Sequence, residues 1–402
     1  MRLSKALSIK TLVKGLEDNT PTLYGITKSN RKPKNFFGKN QFNSSFPVSL
    51  ACYMRDINQS AVYLALNNHL DVEAREISFD EVFNTSEPNE KIVFNFESVF
   101  EPYKVYSYGD ITGIDLVVKD LDGEYLRALE IKLTVIPDSG SAKQDPSLWG
   151  AELVIRPAST LYCALGMFDS CKDESDRIRE IFEPVCHQIR DWTSTTEVYS
   201  KKTEILAALN EFQEEFHERQ KPFLLQPIWR TLGVAPVLDD NAFDIFVWSD
   251  FALCRTFIDR SKEEDQIEDA KGKKKSRDKK EEVNRYFRSA ARLARILFEL
   301  SSSSTMKTNT SRIYTEMTFG RQTDKEFALN GRITRGYMNS PRRIKPILKR
   351  DILPNIILNG GVKELSPERR FDQTIYFTAA DLFVENSREE EVIEEEETPR
   401  EE

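Results

Sequence analysis

Three charged side chains are the residues through which this chain could do chemistry: Asp115, Glu130 and Lys132. Asp115 lies in the run Gly113-Ile114-Asp115-Leu116-Val117-Val118, and the other two lie in Leu126-Arg127-Ala128-Leu129-Glu130-Ile131-Lys132-Leu133. Leu121-Asp122-Gly123-Glu124 separates the runs, and Asp-Gly between two alternating segments predicts a β-hairpin. With Asp122-Gly123 as a two-residue turn, Leu121 pairs with Glu124, and that register puts Asp115 directly opposite Glu130. Facing residues on neighbouring strands hold their Cβ atoms about 5 Å apart. Lys132 is two residues past Glu130 and so shares its face, opposite Gly113, whose missing side chain leaves room.

Two carboxylates in that arrangement repel each other unless a cation sits between them. A divalent metal answers the need, since Mg²⁺ takes carboxylate oxygens and keeps several waters. A lysine beside it can position or activate an attacking water and stabilise charge on a phosphate. These are the parts of metal-assisted phosphodiester hydrolysis. A plainer reading competes, because an Asp and a Glu-x-Lys on nearby strands often arise by chance. Against that reading, the opposite face of the hairpin is apolar, with Ile114, Leu116 and Val118 beside Leu129, Ile131 and Leu133. The strand also runs on as Leu133-Thr134-Val135-Ile136-Pro137-Asp138, which is too apolar for a solvated edge.

The surrounding elements must hold this hairpin in place. Pro47 to Met54 reads as a helix with Pro near its first turn. Ala61–Leu66 and Val72–Phe79 read as short strands or helical pieces, and Leu153–Pro157 as a strand ending at Pro. Ser159–Met167, Asp176–Trp192 and Thr203–His217 are helical by spacing, the second broken or kinked at Pro184. Asn241–Ile258 is apolar enough to be core. Val283–Leu300 predicts a helix with Phe287, Ala291, Leu293, Ile296 and Leu297 inward and Arg285, Arg288 and Arg292 outward. The fold expected is α/β, a mixed central sheet flanked by helices, with a more helical second half. The chain divides into a lead-in (1–20), a main domain (21–300, core about 45–170), a basic subdomain (301–384) and an acidic tail (385–402).

Asp115, Glu130 and Lys132 on successive strands resemble the PD-(D/E)xK nuclease superfamily, with Ile114-Asp115 where the superfamily name has Pro-Asp. Gly38-Lys39-Asn40-Gln41-Phe42-Asn43-Ser44-Ser45-Phe46-Pro47, the stretch Glu130–Asp138, and Gln226-Pro227-Ile228-Trp229-Arg230-Thr231-Leu232-Gly233 are similar to the HindVP-type family of type II restriction endonucleases. The three blocks span roughly residues 22 to 250, and the likeness runs on to about 384. The resemblance implies a restriction-endonuclease-like core, with Asp115 and Glu130 as Mg²⁺ ligands, the Ile131 carbonyl as a further ligand, and Lys132 as the catalytic lysine. It implies site-specific cleavage of double-stranded DNA, a homodimer on a palindromic site, and a companion methyltransferase that protects host DNA. Glu97 or Glu101 could add a metal ligand. Two other functions share the same residues: a structure-specific repair or recombination nuclease, and a non-catalytic DNA-binding protein on a nuclease scaffold.

Bulk properties are compatible with this. The net charge is −9, but Glu385 to Glu402 holds ten Glu against two Arg, so the body is near neutral. A near-neutral body can still carry a basic cleft for phosphates. Candidate DNA contacts are Lys39, Asn40 and Asn43 in one polar stretch, and Arg332, Arg335, Arg342 and Arg343 in another. Cys52, Cys163, Cys171, Cys186 and Cys254 form no C-x-x-C pair and no even framework, and His69, His187 and His217 are too scattered for zinc. No apolar run is long enough to span a membrane and no apolar signal core stands near the start, so a cytoplasmic location is expected.

Overall fold

A computed structural model describes residues 26–27, 48, 51, 55, 60–85, 92–132, 134–137, 152–231, 243–271, 285–317 and 326–329. Its strands are β1 (Ile26–Thr27), β2 (Ala61–Leu66), β3 (Val72–Ile77), β4 (Ile92–Ser98), β5 (Ile114–Asp120), β6 (Tyr125–Ile131), β7 (Thr134–Pro137), β8 (Glu152–Ile155), β9 (Pro222–Thr231), β10 (Phe243–Ser249) and β11 (Glu326–Leu329). Nine of them form one mixed sheet in the order β1-β4-β5-β6-β9-β10-β2-β3, with β7 also on β9. β8 and β11 pair separately.

Burial follows position in the sheet. β2 is interior and reads Ala-Val-Tyr-Leu-Ala-Leu, buried throughout. β3 ends the order and reads Val-Glu-Ala-Arg-Glu-Ile, whose charges suit an edge that must not recruit further strands. The segments Ala61–Leu66 and Val72–Phe79, read as strands or short helical pieces, are an antiparallel strand pair with Phe79 passing into the helix Phe79–Phe83.

The apolar run after the Glu-x-Lys is a strand, as its composition predicts. β6 pairs with β9 in parallel, Glu130 beside Leu224 and Ile131 beside Leu225. β7 keeps that offset, Thr134 beside Ile228 and Pro137 beside Thr231. The two are one line along β9, and between them the Lys132 amide still donates to the Leu225 carbonyl at 3.0 Å. Leu133 lies outside the described residues.

Helices α1 (Phe79–Phe83), α2 (Pro157–Cys171), α3 (Ser175–Cys186), α4 (Thr195–Ser200), α5 (Lys202–Phe216), α6 (Asp250–Lys271), α7 (Arg285–Ser302) and α8 (Thr310–Glu316) flank the sheet. Two expectations need correction. α3 is not broken at Pro184 but ends two residues later, at Cys186 rather than Trp192, while Ile178, Ile181, Phe182 and Val185 anchor the helix in the core. α7 has no solvent face: it packs against α2, α3, α5 and α6, and Arg288 and Arg292 are buried. The Arg292 guanidinium reaches the Met317 carbonyl at 2.7 Å. Arg295, also buried, pairs with Glu299 and Glu316 at 2.7 Å each and lies over the Trp192 ring. Amphipathic spacing cannot distinguish an arginine that meets water from one that meets a protein carboxylate or carbonyl. No helix among the described residues is long and apolar enough to cross a membrane.

Candidate active site

β5 and β6 pair with Leu116 opposite Leu129, Val117 opposite Ala128 and Val118 opposite Arg127, the register expected from the sequence. The turn is different. The Asp120 amide donates to the Glu124 carbonyl at 3.1 Å, so three residues, Leu121 to Gly123, form the loop. The Asp120 side chain drives this by accepting the Glu124 N–H at 2.8 Å, and Gly123 takes φ +93°, open only to glycine at low cost. The longer loop slips the pairing by one residue, to Lys119 opposite Tyr125. An irregularity between Val118 and Lys119 leaves Leu126 as an extra residue and restores the register. The carboxylates therefore meet as predicted, through a different turn.

They meet at the end of the ladder, where β5 begins. Asp115 Oδ2 accepts the Ile131 amide at 3.0 Å, so a side chain takes a donor that a longer β5 would have paired by backbone. Lys132 Nζ donates to Asp115 Oδ2 at 3.2 Å, to Glu130 Oε1, and to the Ile131 carbonyl at 3.3 Å. One ammonium thus gathers both carboxylates and the main-chain oxygen. Ser159 Oγ, in the first turn of α2, donates to Glu130 Oε1 at 2.7 Å. Nothing in local spacing announced Ser159, because it reaches the site only through the packing of α2 on the sheet.

Burial sets the electrostatics. The side chain of Glu130 is 7% exposed, against 18% for Lys132 and 25% for Asp115. Burial, then the Asp115 charge, pushes the Glu130 carboxyl up to about 7, while Lys132 and Ser159 pull it the other way. Burial also works against the Lys132 charge, but Glu130 and Asp115 outweigh it and hold its ammonium above the usual lysine range.

Gly113 has a purpose other than making room for Lys132. A Cβ on it would lie 2.7 Å from the Glu97 carbonyl oxygen, so the glycine lets β4 close on the start of β5. Glu97 itself adopts φ +46°, a left-handed backbone rare outside glycine, between the pairs Phe96–Leu116 and Ser98–Ile114. Its register position is therefore beside Asp115. Glu101 opens the 3-10 helix Glu101–Tyr106 and pairs with Lys104 at 2.8 Å.

The donor set suits a hard divalent cation: two carboxylates and a carbonyl, with an ammonium already standing where positive charge is needed. Among the described residues no group of three or more His, Cys, Asp or Glu is gathered as a metal site. Any cation here would rest on Asp115, Glu130 and the Ile131 carbonyl. The described cysteines, Cys163, Cys171, Cys186 and Cys254, are buried and unpaired, as packing residues would be. Lys39, Asn40, Asn43, Arg332, Arg335, Arg342 and Arg343 lie outside the described residues.

Comparison with known proteins gives the family to which the chain is similar. A family model described as HindVP restriction endonuclease matches residues 37–383. The chain is 36% identical over 363 residues to "Type II restriction enzyme HgiDI" of Herpetosiphon aurantiacus, covering 90% of this chain and 96% of the relative. It is 33% identical over 365 residues to "Probable type II restriction enzyme HindVP" of Haemophilus influenzae, covering 90% and 95%. No solved structure is matched significantly.

Proposed function

The chain belongs to the HindVP restriction endonuclease family, and from that premise we propose how its hairpin cuts DNA. The activity is that of a type II restriction enzyme, hydrolysis of double-stranded DNA at a short specific site, and we infer that it depends on Mg²⁺. The observation that carries the reading is the single ammonium of Lys132 gathering Asp115, Glu130 and the Ile131 carbonyl at the end of the β5–β6 ladder.

Asp115 and Glu130 would hold the cation, with the Ile131 carbonyl as third protein oxygen. When bound, the cation supplies Lewis-acid polarisation of the scissile phosphate. Asp115 and Glu130, neutralised by a cation, would leave the Lys132 ammonium available to the substrate. Lys132 then orients the attacking water by donating to it, lowers its pKa, and stabilises the negative charge that grows on the phosphoryl oxygens. Asp115 keeps its grip on the Ile131 amide throughout, so the loss of one donor does not collapse the hairpin end. The low exposure of Glu130 strengthens each of these interactions by excluding water.

The DNA is gripped by Lys39, Asn40, Asn43, Arg332, Arg335, Arg342 and Arg343, on the strength of their residue types, with 301–384 as the DNA-binding subdomain. A palindromic site is cut by a homodimer with one such hairpin per strand. A companion methyltransferase protects the host, in the cytoplasm where both proteins work. The test is digestion of a sequenced plasmid by purified protein with and without Mg²⁺, beside Lys132→Ala. Discrete Mg²⁺-dependent fragments from the wild type alone are expected, and mapped ends give the site. An intact plasmid known to contain the site, incubated with folded protein, overturns the proposal.

A further inference from the structure

Resting on the metal site just assigned, we propose that Ser159 is a positioning residue that restricts Glu130 to one coordinating oxygen and thereby sets a preference for Mg²⁺ over Ca²⁺. Ser159 is 4% exposed and stands in the first turn of α2, which Pro157 opens. The helix is held by a buried stripe that includes Leu161, Tyr162 and Leu165, so the hydroxyl has little freedom to leave. It donates to Glu130 Oε1 at 2.7 Å, and Lys132 Nζ donates to the same oxygen. Among the described residues, every hydrogen bond to this carboxylate ends on Oε1, and every one to the Asp115 carboxylate ends on Oδ2. Each carboxylate keeps one oxygen engaged by protein donors and one for a ligand.

That asymmetry matters because the two common divalent cations differ in what they accept. Mg²⁺ demands near-octahedral geometry from single oxygens at about 2.0–2.1 Å, whereas Ca²⁺ takes six to eight oxygens and welcomes bidentate carboxylates. In the mechanism proposed above Lys132 would donate to the substrate and so would not hold Oε1 continuously. Ser159, fixed to a helix, can. Without its hydroxyl the Glu130 carboxylate is free to rotate and offer both oxygens, which favours Ca²⁺ and loosens Mg²⁺. If the hydroxyl only satisfied a buried carboxylate, its removal would lower stability without changing the choice of metal.

The experiment uses the full chain. Mn²⁺ bound to wild type, Ser159→Ala, Ser159→Thr and Ser159→Cys is followed by electron paramagnetic resonance and displaced with Mg²⁺ or with Ca²⁺; the Mg²⁺ concentration for half-maximal cleavage is measured alongside. Ser159→Ala should weaken Mg²⁺ about tenfold, the range for loss of a partner that orients a metal ligand. The ratio of Ca²⁺ to Mg²⁺ affinity should rise by at least as much. Ser159→Thr should restore the wild-type ratio. Ser159→Cys, close in size and a weak donor, should fall between, and it serves if the alanine variant does not fold. A folded alanine or cysteine variant with the wild-type ratio overturns this inference and leaves the metal site standing. A wild type that holds no Mn²⁺ and cuts no DNA overturns both.

Discussion

Replacing Lys132 with methionine keeps the aliphatic stem and removes the one charge between Asp115 and Glu130. Taking away one partner of a buried pair typically costs about 3–5 kcal/mol, because it leaves a charge uncompensated. Here Lys132 and Asp115 retain 18% and 25% of their side-chain exposure, which places the loss at the lower end, about 3 kcal/mol. The loss must also depend on pH. In the wild type, burial first and Asp115 second carry the Glu130 carboxyl from 4.5 to about 7, with Lys132 opposing them. A carboxyl whose folded pKa lies above its unfolded one is favoured by folding in its protonated form. Its contribution is therefore full below about pH 4.5, falls as pH rises to 7, and is level beyond. Without the lysine the folded pKa moves higher still, so the variant keeps losing stability above pH 7 after the wild type has stopped. The gap between the two proteins should be constant below pH 7 and widen above it by about 1.4 kcal/mol per pH unit. Urea denaturation in EDTA at pH 6, 7 and 8 reads this directly. Mg²⁺ at a hundred times its Kd should return about 2.7 kcal/mol to the variant. A gap of equal size at pH 6 and pH 8 would refute the argument, since it would mean that the lysine does not control the Glu130 charge.

Gly113→Ala drives a Cβ to 2.7 Å from the Glu97 carbonyl, which is backbone and cannot swing aside; we expect a loss of about 1–3 kcal/mol in denaturant and a fall in cleavage rate as the Asp115 end of β5 moves. Asp250 accepts the Lys221 and Phe251 amides at 3.0 and 2.9 Å, and burial pushes its carboxyl up to about 6. Folding favours its protonated form, so this group costs the wild type about 3 kcal/mol as pH rises from 4 to 6. Asp250→Asn keeps the acceptor and removes that slope, so denaturation at both pH values should show the variant gaining on the wild type by roughly that amount. Arg295→Met removes a buried guanidinium that bridges Glu299 and Glu316, which keep Thr308 and Arg312 as partners, and should cost about 3 kcal/mol in a thermal or urea melt, with no change in the Mg²⁺ concentration needed for cleavage.

The sequence was most legible where a local rule and a polar constraint agreed. Alternation and an Asp-Gly pair located the β5–β6 hairpin and its register, even though Asp120 and a bulge at Leu126 produced that register by another route. The apolar run after Lys132 read correctly as a strand, and it pairs with β9, far along the chain. Prediction failed where the deciding partner was distant in the chain. Arg288 and Arg292 sit at positions that would face water on an isolated helix, and only the helices around α7 make that side interior. Pro184 looked like a break because the anchoring of Ile181, Phe182 and Val185 was invisible. Ser159 and the close approach of Glu97 to Gly113 are consequences of tertiary packing, with no signature in spacing.

The sheet also has a seam with consequences for when the enzyme becomes dangerous. β4, β5 and β6 follow one another in the chain and can pair as soon as they exist. Their partner β9 lies beyond four helices, and β10 must find β2, Phe246 beside Val62, before that half of the sheet is complete. Short-range pairings of this kind form early and long-range ones late. Glu130 sits on the line where the two halves join, beside Leu224. A nascent chain therefore carries Asp115, Glu130 and Lys132 on an open hairpin in water long before β9 arrives to bury them. The proposed site is therefore complete only once a strand far along the chain has docked, and a fragment that ends before β9 would carry the hairpin without the strand that covers it.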